Sequence, residues 1–476
     1  MHSFRTAAAF FLALALIAPA SVGAAMPAVA LAATTPRAFS PDADGRNDVL
    51  GLKVSLGVGG LLLLTVRNFE GETVATLVDA AVDAGDKSVT WNGAAADGRI
   101  LADGPYTVVA TVGDTNASLK VAIWKTMPAV SRPGATVVTL DPGHGGSDQG
   151  ASAQHDGMTF HEKTATLDTA LKTGAMLQAA GFVVKYTRTT DVARTLGQRT
   201  AYANAVRSDI LVGMHFNWLS LNRGRTESFY CGRGCYGAAS SQALAQYVLD
   251  AHRSHLAPYE TSTFHLTPRL GSWKAVDDYV RWTETPGMCS GTIGCHFGLL
   301  GPYSATLRPY AVRMPAVLME SLSISNPDER AIIVSPAGRT ALAAAYADGI
   351  ARFFATRTTW VRQDLGAAVP TFSRSYSSII KVRVYNTSNK TIPIGSYIVV
   401  GDRSRTSSND PDTTKGTKIG TRKLTTALKP GSSTLVSIRV FPQTSGRRTW
   451  KVDFVIAGVR LSDRRVPMLH LSTYVR

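Results

Sequence analysis

Val137-Val138-Thr139-Leu140-Asp141-Pro142-Gly143-His144-Gly145-Gly146-Ser147-Asp148-Gln149-Gly150 is the stretch around which this 476-residue chain is organised. A short β-branched run feeds into a loop where Gly143, Gly145 and Gly146 surround one imidazole, and glycine there permits positive φ and close backbone approach. Asp141, three residues before His144, has the spacing of a carboxylate that fixes an imidazole tautomer. Read alone, the stretch is equally a strand followed by a glycine-rich turn with a solvated histidine. The sequence on either side decides between the two.

Downstream, strands and helices alternate. Glu162 to Ala180 carries Leu167, Ala170, Leu171, Ala175 and Leu177 at helical spacing, with Gly181 as its stop. A strand at Phe182 to Thr187, a helix near Gly197 to Val206 and a strand at Ile210 to Met214 come next. A helix near Ser241 to His255, a strand at Ala316 to Met319 and a helix from Pro336 to Phe354 complete the series. Repeated βα units predict a largely parallel sheet covered by helices, its ligand site beyond the carboxyl ends of the strands. His144, His215 and Glu320 each fall at such an end.

Both flanks read differently. Residues 33 to 128 alternate short apolar strands with turn signals such as Glu70-Gly71, Asp97-Gly98 and Asp103-Gly104-Pro105. After a linker at Gln363 to Pro370, strands such as Ile379 to Tyr385, Tyr397 to Val400 and Thr434 to Val440 predict another antiparallel sandwich. The chain is therefore read as multidomain: a central α/β domain with a mostly parallel sheet covered by helices, flanked by two all-β Ig-like sandwiches. The boundaries are a leader at 1–32, sandwich at 33–128, linker at 129–135, α/β domain at 136–357, linker at 358–370 and basic sandwich at 371–476. Asp42, Asp44, Asn47 and Asp48 put hard oxygen ligands on one loop, which suits Ca²⁺, but the EF-hand spacing is absent and an acidic turn needing no metal is the better reading.

Composition sets limits. With 45% hydrophobic and 18% charged residues the chain is globular, and its length implies about three domains. Arg5, the apolar run from Ala7 to Pro19, and Ala30-Leu31-Ala32 before Ala33 read as a secretory signal, with an uncleaved anchor as the rival. No other stretch is apolar for long enough to span a bilayer. In that compartment Cys231 with Cys235 and Cys289 with Cys295 are expected to form local disulfides, although four cysteines allow three connectivities. Of the net charge of +16, residues 365 to 476 hold 19 basic against 5 acidic residues, whereas 33 to 128 hold 8 against 11. The C-terminal segment is thus expected to dock on an anionic envelope polymer rather than on nucleic acid.

Two histidines and a carboxylate are an established zinc set that leaves a fourth position for water. Glu162, at a helix start, either ligates or caps the helix. His155 and His161 lie nearby in sequence and read as solvated surface residues. Between His215 and Glu320 lie all four cysteines with Trp273, Trp282, Tyr230 and Tyr236, which either pack a stapled loop or form a glycan-stacking wall.

The segment from about 136 to 357 resembles the zinc-dependent N-acetylmuramoyl-L-alanine amidases of the bacterial cell-wall hydrolase type. The matching residues are Asp141-Pro142-Gly143-His144-Gly145-Gly146 with Asp148 and Gly150, Glu162-Lys163, and Tyr186-Thr187-Arg188 with Asp191. Arg199 with Ala203-Asn204, His215 with Asn217, and Met314-Pro315-Ala316-Val317-Leu318-Met319-Glu320 with Ser325-Asn326 complete them. The resemblance implies that His144, Glu162 and His215 bind one zinc ion, that Glu320 is catalytic, and that a secreted enzyme cleaves the amide between N-acetylmuramic acid and L-alanine of peptidoglycan. Phe216 and Trp218 stand where the family has small residues, Ser321-Leu322-Ser323 replaces its glycine-containing turn after the glutamate, and both put the shape of the cleft in doubt. Rivals are a catalytically inactive wall-binding scaffold and a zinc peptidase acting on another amide. The segment from Phe39 to Asp48, with Trp91-Asn92-Gly93 and Asp103-Gly104-Pro105-Tyr106, resembles the Ig-like module of flagellar hook-capping proteins.

Overall fold

The computed structural model describes residues 29–125, 136–219, 225–230, 238–260, 273–277, 299–300, 312, 314–355, 361–365, 372–386, 390–404, 416–430, 432–461 and 469–476. The four cysteines, Trp282 and Tyr236, and the side chain of Trp273, lie outside this description.

The N-terminal module begins with β1 (Val29–Ala33), β2 (Ala38–Phe39), β3 (Leu50–Leu56) and β4 (Gly60–Arg67), followed by β5 (Thr73–Val82), β6 (Gly85–Trp91), β7 (Gly104–Val112) and β8 (Thr115–Ile123). Two sheets result, ordered β1-β3-β6 and β2-β8-β7-β4-β5. Inward residues of both, among them Leu52, Val54, Leu62, Leu64, Val108 and Ala110, make one core, as the period-two alternation requires. Val29 to Ala33 pair antiparallel with Leu52 to Leu56, and Val29 is 5% exposed, so a cut after Ala32 would remove four of the five residues of β1. On the acidic loop, Asp48 accepts from the Ala43 and Gly45 backbone N–H groups at 2.7 and 2.8 Å, and Asp44 accepts from Arg46 N–H at 2.7 Å. Asp42, Asp44 and Asp48 also each bring an oxygen within 4.8 Å of the others.

The central domain holds β9 (Val137–Pro142), a hairpin of β10 (Ser152–His155) and β11 (Met158–His161), α1 (Glu162–Ala179), β12 (Val183–Tyr186), α2 (Leu196–Ala205) and β13 (Ile210–Asn217). It continues with β14 (Thr226–Tyr230), α3 (Ala238–Leu256), β15 (Trp273–Asp277), β16 (Ala316–Ser323), α4 (Pro327–Val334) and α5 (Pro336–Ala355). The sheet order is β12-β9-β13-β16-β14-β15. Pairings run parallel except β14 against β16. Every residue of β9 and nearly all of β13 are buried because helices cover both faces. Local chemistry sets the helix starts: Thr195 and Gln198 form a capping box before α2, and Asn326 accepts from Asp328 and Glu329 N–H before α4. Among the described residues no helix is long and apolar enough to cross a membrane.

The C-terminal module holds β17 (Val361–Leu365), β18 (Ser378–Asn386), β19 (Tyr397–Ser404), β20 (Thr417–Lys423), β21 (Ser433–Val440), β22 (Gly446–Ile456), β23 (Val459–Arg460) and β24 (Leu469–Val475). The expected pair of sheets is instead one hydrogen-bonded path, β17-β18-β21-β20-β19-β22-β23, with β24 on β22. The reason is local. A register shift at Val400/Gly401 of β19 lets β20 bend, and the single pair Gly420↔Val440 then joins the two halves. The expected linker at 358–370 contains β17, which pairs with β18.

Candidate active site and metal centre

Three elements bring the donors together. β9 ends at Pro142 and delivers His144, α1 begins at Glu162, and β13 carries His215 near its carboxyl end. His144 Nε2 lies 3.0 Å from Glu162 Oε2, and His215 Nδ1 lies 3.2 Å from both Glu162 Oε1 and His144 Nε2. The three residues are 8%, 3% and 5% exposed, and their ligand atoms fall within 4.8 Å of one another.

The backbone around them is shaped for this approach. His144 itself has φ 58°, a left-handed conformation that non-glycine residues adopt at a cost of order 1 kcal/mol or more. A Cβ on Gly143 would lie 2.2 Å from His215 Cε1, and one on Gly150 would lie 2.6 Å from Glu162 Oε2, so neither position admits a larger residue. A register shift between His215 and Asn217 releases the Phe216 N–H from the β-ladder, and it donates to Glu162 Oε1 at 2.9 Å. Ala151 N–H donates to the other oxygen at 2.9 Å. Both carboxylate oxygens are thereby fixed.

The expected role of Asp141 changes. His144 Nδ1 lies 2.9 Å from Asp148 Oδ1, so Asp148 is the carboxylate that fixes this imidazole. Asp141 instead accepts from Arg199 NH1 at 2.7 Å and from Thr187 Oγ1. Arg199 also donates to the carbonyls of Pro142 and His144, while Arg188 donates to those of Pro142 and Gly143. Two buried guanidinium groups thus clamp the loop through its carbonyls, and Asp141 holds one of them. His155 and His161 sit on the β10–β11 hairpin, and His161 Nδ1 faces Ser152 Oγ at 2.8 Å.

Glu320 stands directly across from His215 on β16, and Glu227 stands across from Glu320 on β14. Paired residues project to the same sheet face, so one row runs His215, Glu320, Glu227 over three strands. Burial, then the charges of Glu162 and Glu227, push the Glu320 carboxyl well above its usual value. For Glu162 burial acts in the same direction, but hydrogen bonds from His144 and His215 outweigh it and hold the carboxyl below the usual range. His215 is lowered chiefly by burial; His144 is buried too, but Glu162 and Asp148 outweigh that and raise it. Glu227 accepts from Asn217 Nδ2 and Arg225 NH1, each at 3.3 Å. Sequence reasoning missed it because β14 runs antiparallel and presents its first residues, not its last, to the site.

Residues 138–352 match the family described as N-acetylmuramoyl-L-alanine amidase, and residues 60–116 match the FlgD Ig-like domain. The central domain is an N-acetylmuramoyl-L-alanine amidase domain. Over 237 residues it is 30% identical to the N-acetylmuramoyl-L-alanine amidase AmiC of Neisseria meningitidis, a match that covers 46% of this chain and 53% of that protein. AmiA of Salmonella typhimurium is 28% identical over 251 residues, 50% of this chain and 83% of that protein. The chain therefore spans about half the length of the first relative and most of the second. Among solved structures, the N-acetylmuramoyl-L-alanine amidase of Clostridium difficile 630 is 22% identical with a TM-score of 0.35, covering 47% of this chain and 99% of that one. The amidase domain lies between two modules, and the family match to the first of them covers β4 to the start of β8.

Proposed function

We propose that this protein is a zinc-dependent peptidoglycan hydrolase that cleaves the amide between the lactyl group of N-acetylmuramic acid and the L-alanine of the stem peptide. It works outside the cytoplasm at the cell wall, where its cationic C-terminal module adds an attachment to anionic envelope polymer. The observation that carries the reading is the buried convergence of His144, Glu162 and His215 beside Glu320 at the carboxyl ends of parallel strands.

The donor set fits zinc: two imidazole nitrogens and a carboxylate, with Asp148 behind one imidazole and backbone N–H groups behind the carboxylate. His144 Nε2, His215 Nδ1 and Glu162 would hold the ion. When bound, zinc supplies Lewis acidity and lowers the pKa of water to about 7. Glu320 takes a proton from the attacking water as its oxygen bonds to the amide carbon, then returns that proton to the alanine nitrogen as the C–N bond breaks. The Arg188 and Arg199 clamps hold the loop that carries His144 so that its imidazole keeps its aim.

Digestion of purified sacculi with mass spectrometry of the products tests this. Intact stem peptides with a free L-alanine amino group, together with glycan bearing unsubstituted lactyl carboxyls, are expected. Products cut only within the peptide would make it a zinc peptidase, and none at all a binding scaffold.

A further inference from the structure

From residue 372 onward the described side-chain carboxylates are Asp402 and Asp453, which are 3% and 1% exposed. Asp402 lies 2.8 Å from Arg448 Nε, and Asp453 lies 3.6 Å from Arg460 NH1. Every exposed charged side chain described in this module is therefore a cation. Their arrangement is not diffuse. β18 and β21 alternate with a period of two, their buried residues forming the core, and the outer face pairs Ile379 with Arg439, Lys381 with Ser437, and Arg383 with Leu435.

Lys381 and Arg383 lie two residues apart, about 6.8 Å along a strand, and Arg439, which pairs with Ile379, lies diagonally from Lys381 on the neighbouring strand, about 8 Å away. The first separation falls inside the screening length of about 8 Å at physiological ionic strength and the second is about equal to it, so Lys381 is repelled by a cation on either side. Among the residues whose side chains are described, none forms an ion pair with these three, and Asp364 of β17 stands across from Arg383 in the strand register. At the side of this face a depression of about 210 Å³ is lined by two cations, Arg422 and Lys423, and four hydroxyl residues, together with the aliphatic Leu424, Leu435 and Val436.

We propose that the outer face of β18 and β21, with this depression at its side, is a docking surface for a phosphodiester-linked polyol or glycan polymer. Lys381, Arg383 and Arg439 meet successive phosphates, while Arg422 and Lys423 with the neighbouring hydroxyls take a phosphate and its polyol oxygens. Charge complementarity selects a polyanion, and the regular two-residue spacing of cations suits a linear one. A lipid surface fits less well, because the exposed aliphatic side chains of these pairs, Ile379 and Leu435, are separated by cations and form no continuous patch. Taking the polymer from the cell wall rests on the proposed wall substrate; the chemistry of the face does not.

The test uses the full chain with lipid-free poly(glycerol phosphate) as probe, at about 0.15 M salt. Wild type is expected to bind, and the triple variant Lys381→Gln, Arg383→Gln, Arg439→Gln, which keeps side-chain bulk, to bind at least tenfold more weakly with a shallower salt dependence. Arg422→Gln with Lys423→Gln is expected to weaken binding by a smaller factor. Release of stem peptides from sacculi stripped of phosphate polymer should be the same in every variant, which separates a failure of this surface from a failure of the proposed hydrolysis. Unchanged affinity in the triple variant overturns the proposal. So does equal affinity of wild type for phosphatidylglycerol vesicles, or for duplex DNA of matched charge.

Discussion

At the scale of single residues, the proposed function divides the site into groups that would hold the metal and a group that reacts. If Glu320 moves the proton and His144, Glu162 and His215 hold zinc, Glu320→Gln keeps shape and metal while turnover falls by about 10²- to 10⁴-fold. Zinc content by elemental analysis beside stem-peptide release checks this, and a zinc-free variant would make Glu320 a ligand. Gly143→Ala tests the packing of the same site. Its Cβ would lie 2.2 Å from His215 Cε1, so the imidazole must move, and a displacement of about 1 Å costs on the order of 10²-fold. Full activity in that variant would show that the loop yields freely. Sequence spacing made His144, His215 and Glu320 legible because parallel strands end at one edge. It could not choose Asp148 over Asp141 for the imidazole, since both lie within four residues of it and only the left-handed turn at His144 decides which one it meets.

At the scale of elements, the long helices were legible from apolar spacing, whereas the β10–β11 hairpin, β14 and α4 were not. β14 is Thr-Glu-Ser-Phe-Tyr, whose polar half does not read as a buried strand; Glu227 is buried on the face of the site, and Thr226 and Ser228 on the opposite face, where Thr226 Oγ1 accepts from Leu322 N–H. α4 has only eight residues, too few for a periodic signal, and is set by the Asn326 cap and Pro327. That short helix carries a pH dependence of its own. Burial raises the Glu329 carboxyl to about 7, even though Ser323 N–H donates to it at 2.5 Å. Between its ordinary value and about 7 the unfolded chain has lost the proton and the folded chain has kept it. The unfolded state then binds fewer protons, and stability falls as pH rises through that window. Glu329→Gln removes the ionisation and leaves an oxygen to accept from Ser323, so its melting temperature should fall less than that of wild type between pH 5 and 8. Parallel melting curves for the two proteins would refute this attribution.

At the scale of the whole molecule, the N-terminal module is fastened to the amidase domain rather than tethered to it. Ala38, Ala122 and Trp124 belong to the same apolar cluster as α1 and α5, and Arg37 NH2 donates to Gln178 O at 3.1 Å. One consequence concerns processing. Because β1 pairs from Val29, the mature chain should begin at or before that residue, and N-terminal sequencing that found Ala33 first would contradict the pairing. The other concerns the ion network under the interface. Lys172 on α1 is fully buried, with its Nζ 2.6 Å from Glu70 Oε1 of the N-terminal module and 3.0 Å from Asp168 Oδ2; Asp168 in turn meets Arg339 Nε of α5 at 2.5 Å. Removing one partner of a buried pair costs about 3 to 5 kcal/mol, because the other charge is left without compensation, whereas a partly exposed partner is worth less. Asp168 serves two cations and bridges two helices, while Glu70 is the more exposed carboxylate and serves one. Asp168→Ala should therefore lower the melting temperature more than Glu70→Ala. Since α1 begins with Glu162, Asp168→Ala should also weaken zinc retention against a chelator, and Glu70→Ala should not. Equal melting temperatures for wild type and both variants would mean that the charges beneath the interface add nothing to it, and that the modules are held by apolar contact and the Arg37 bond.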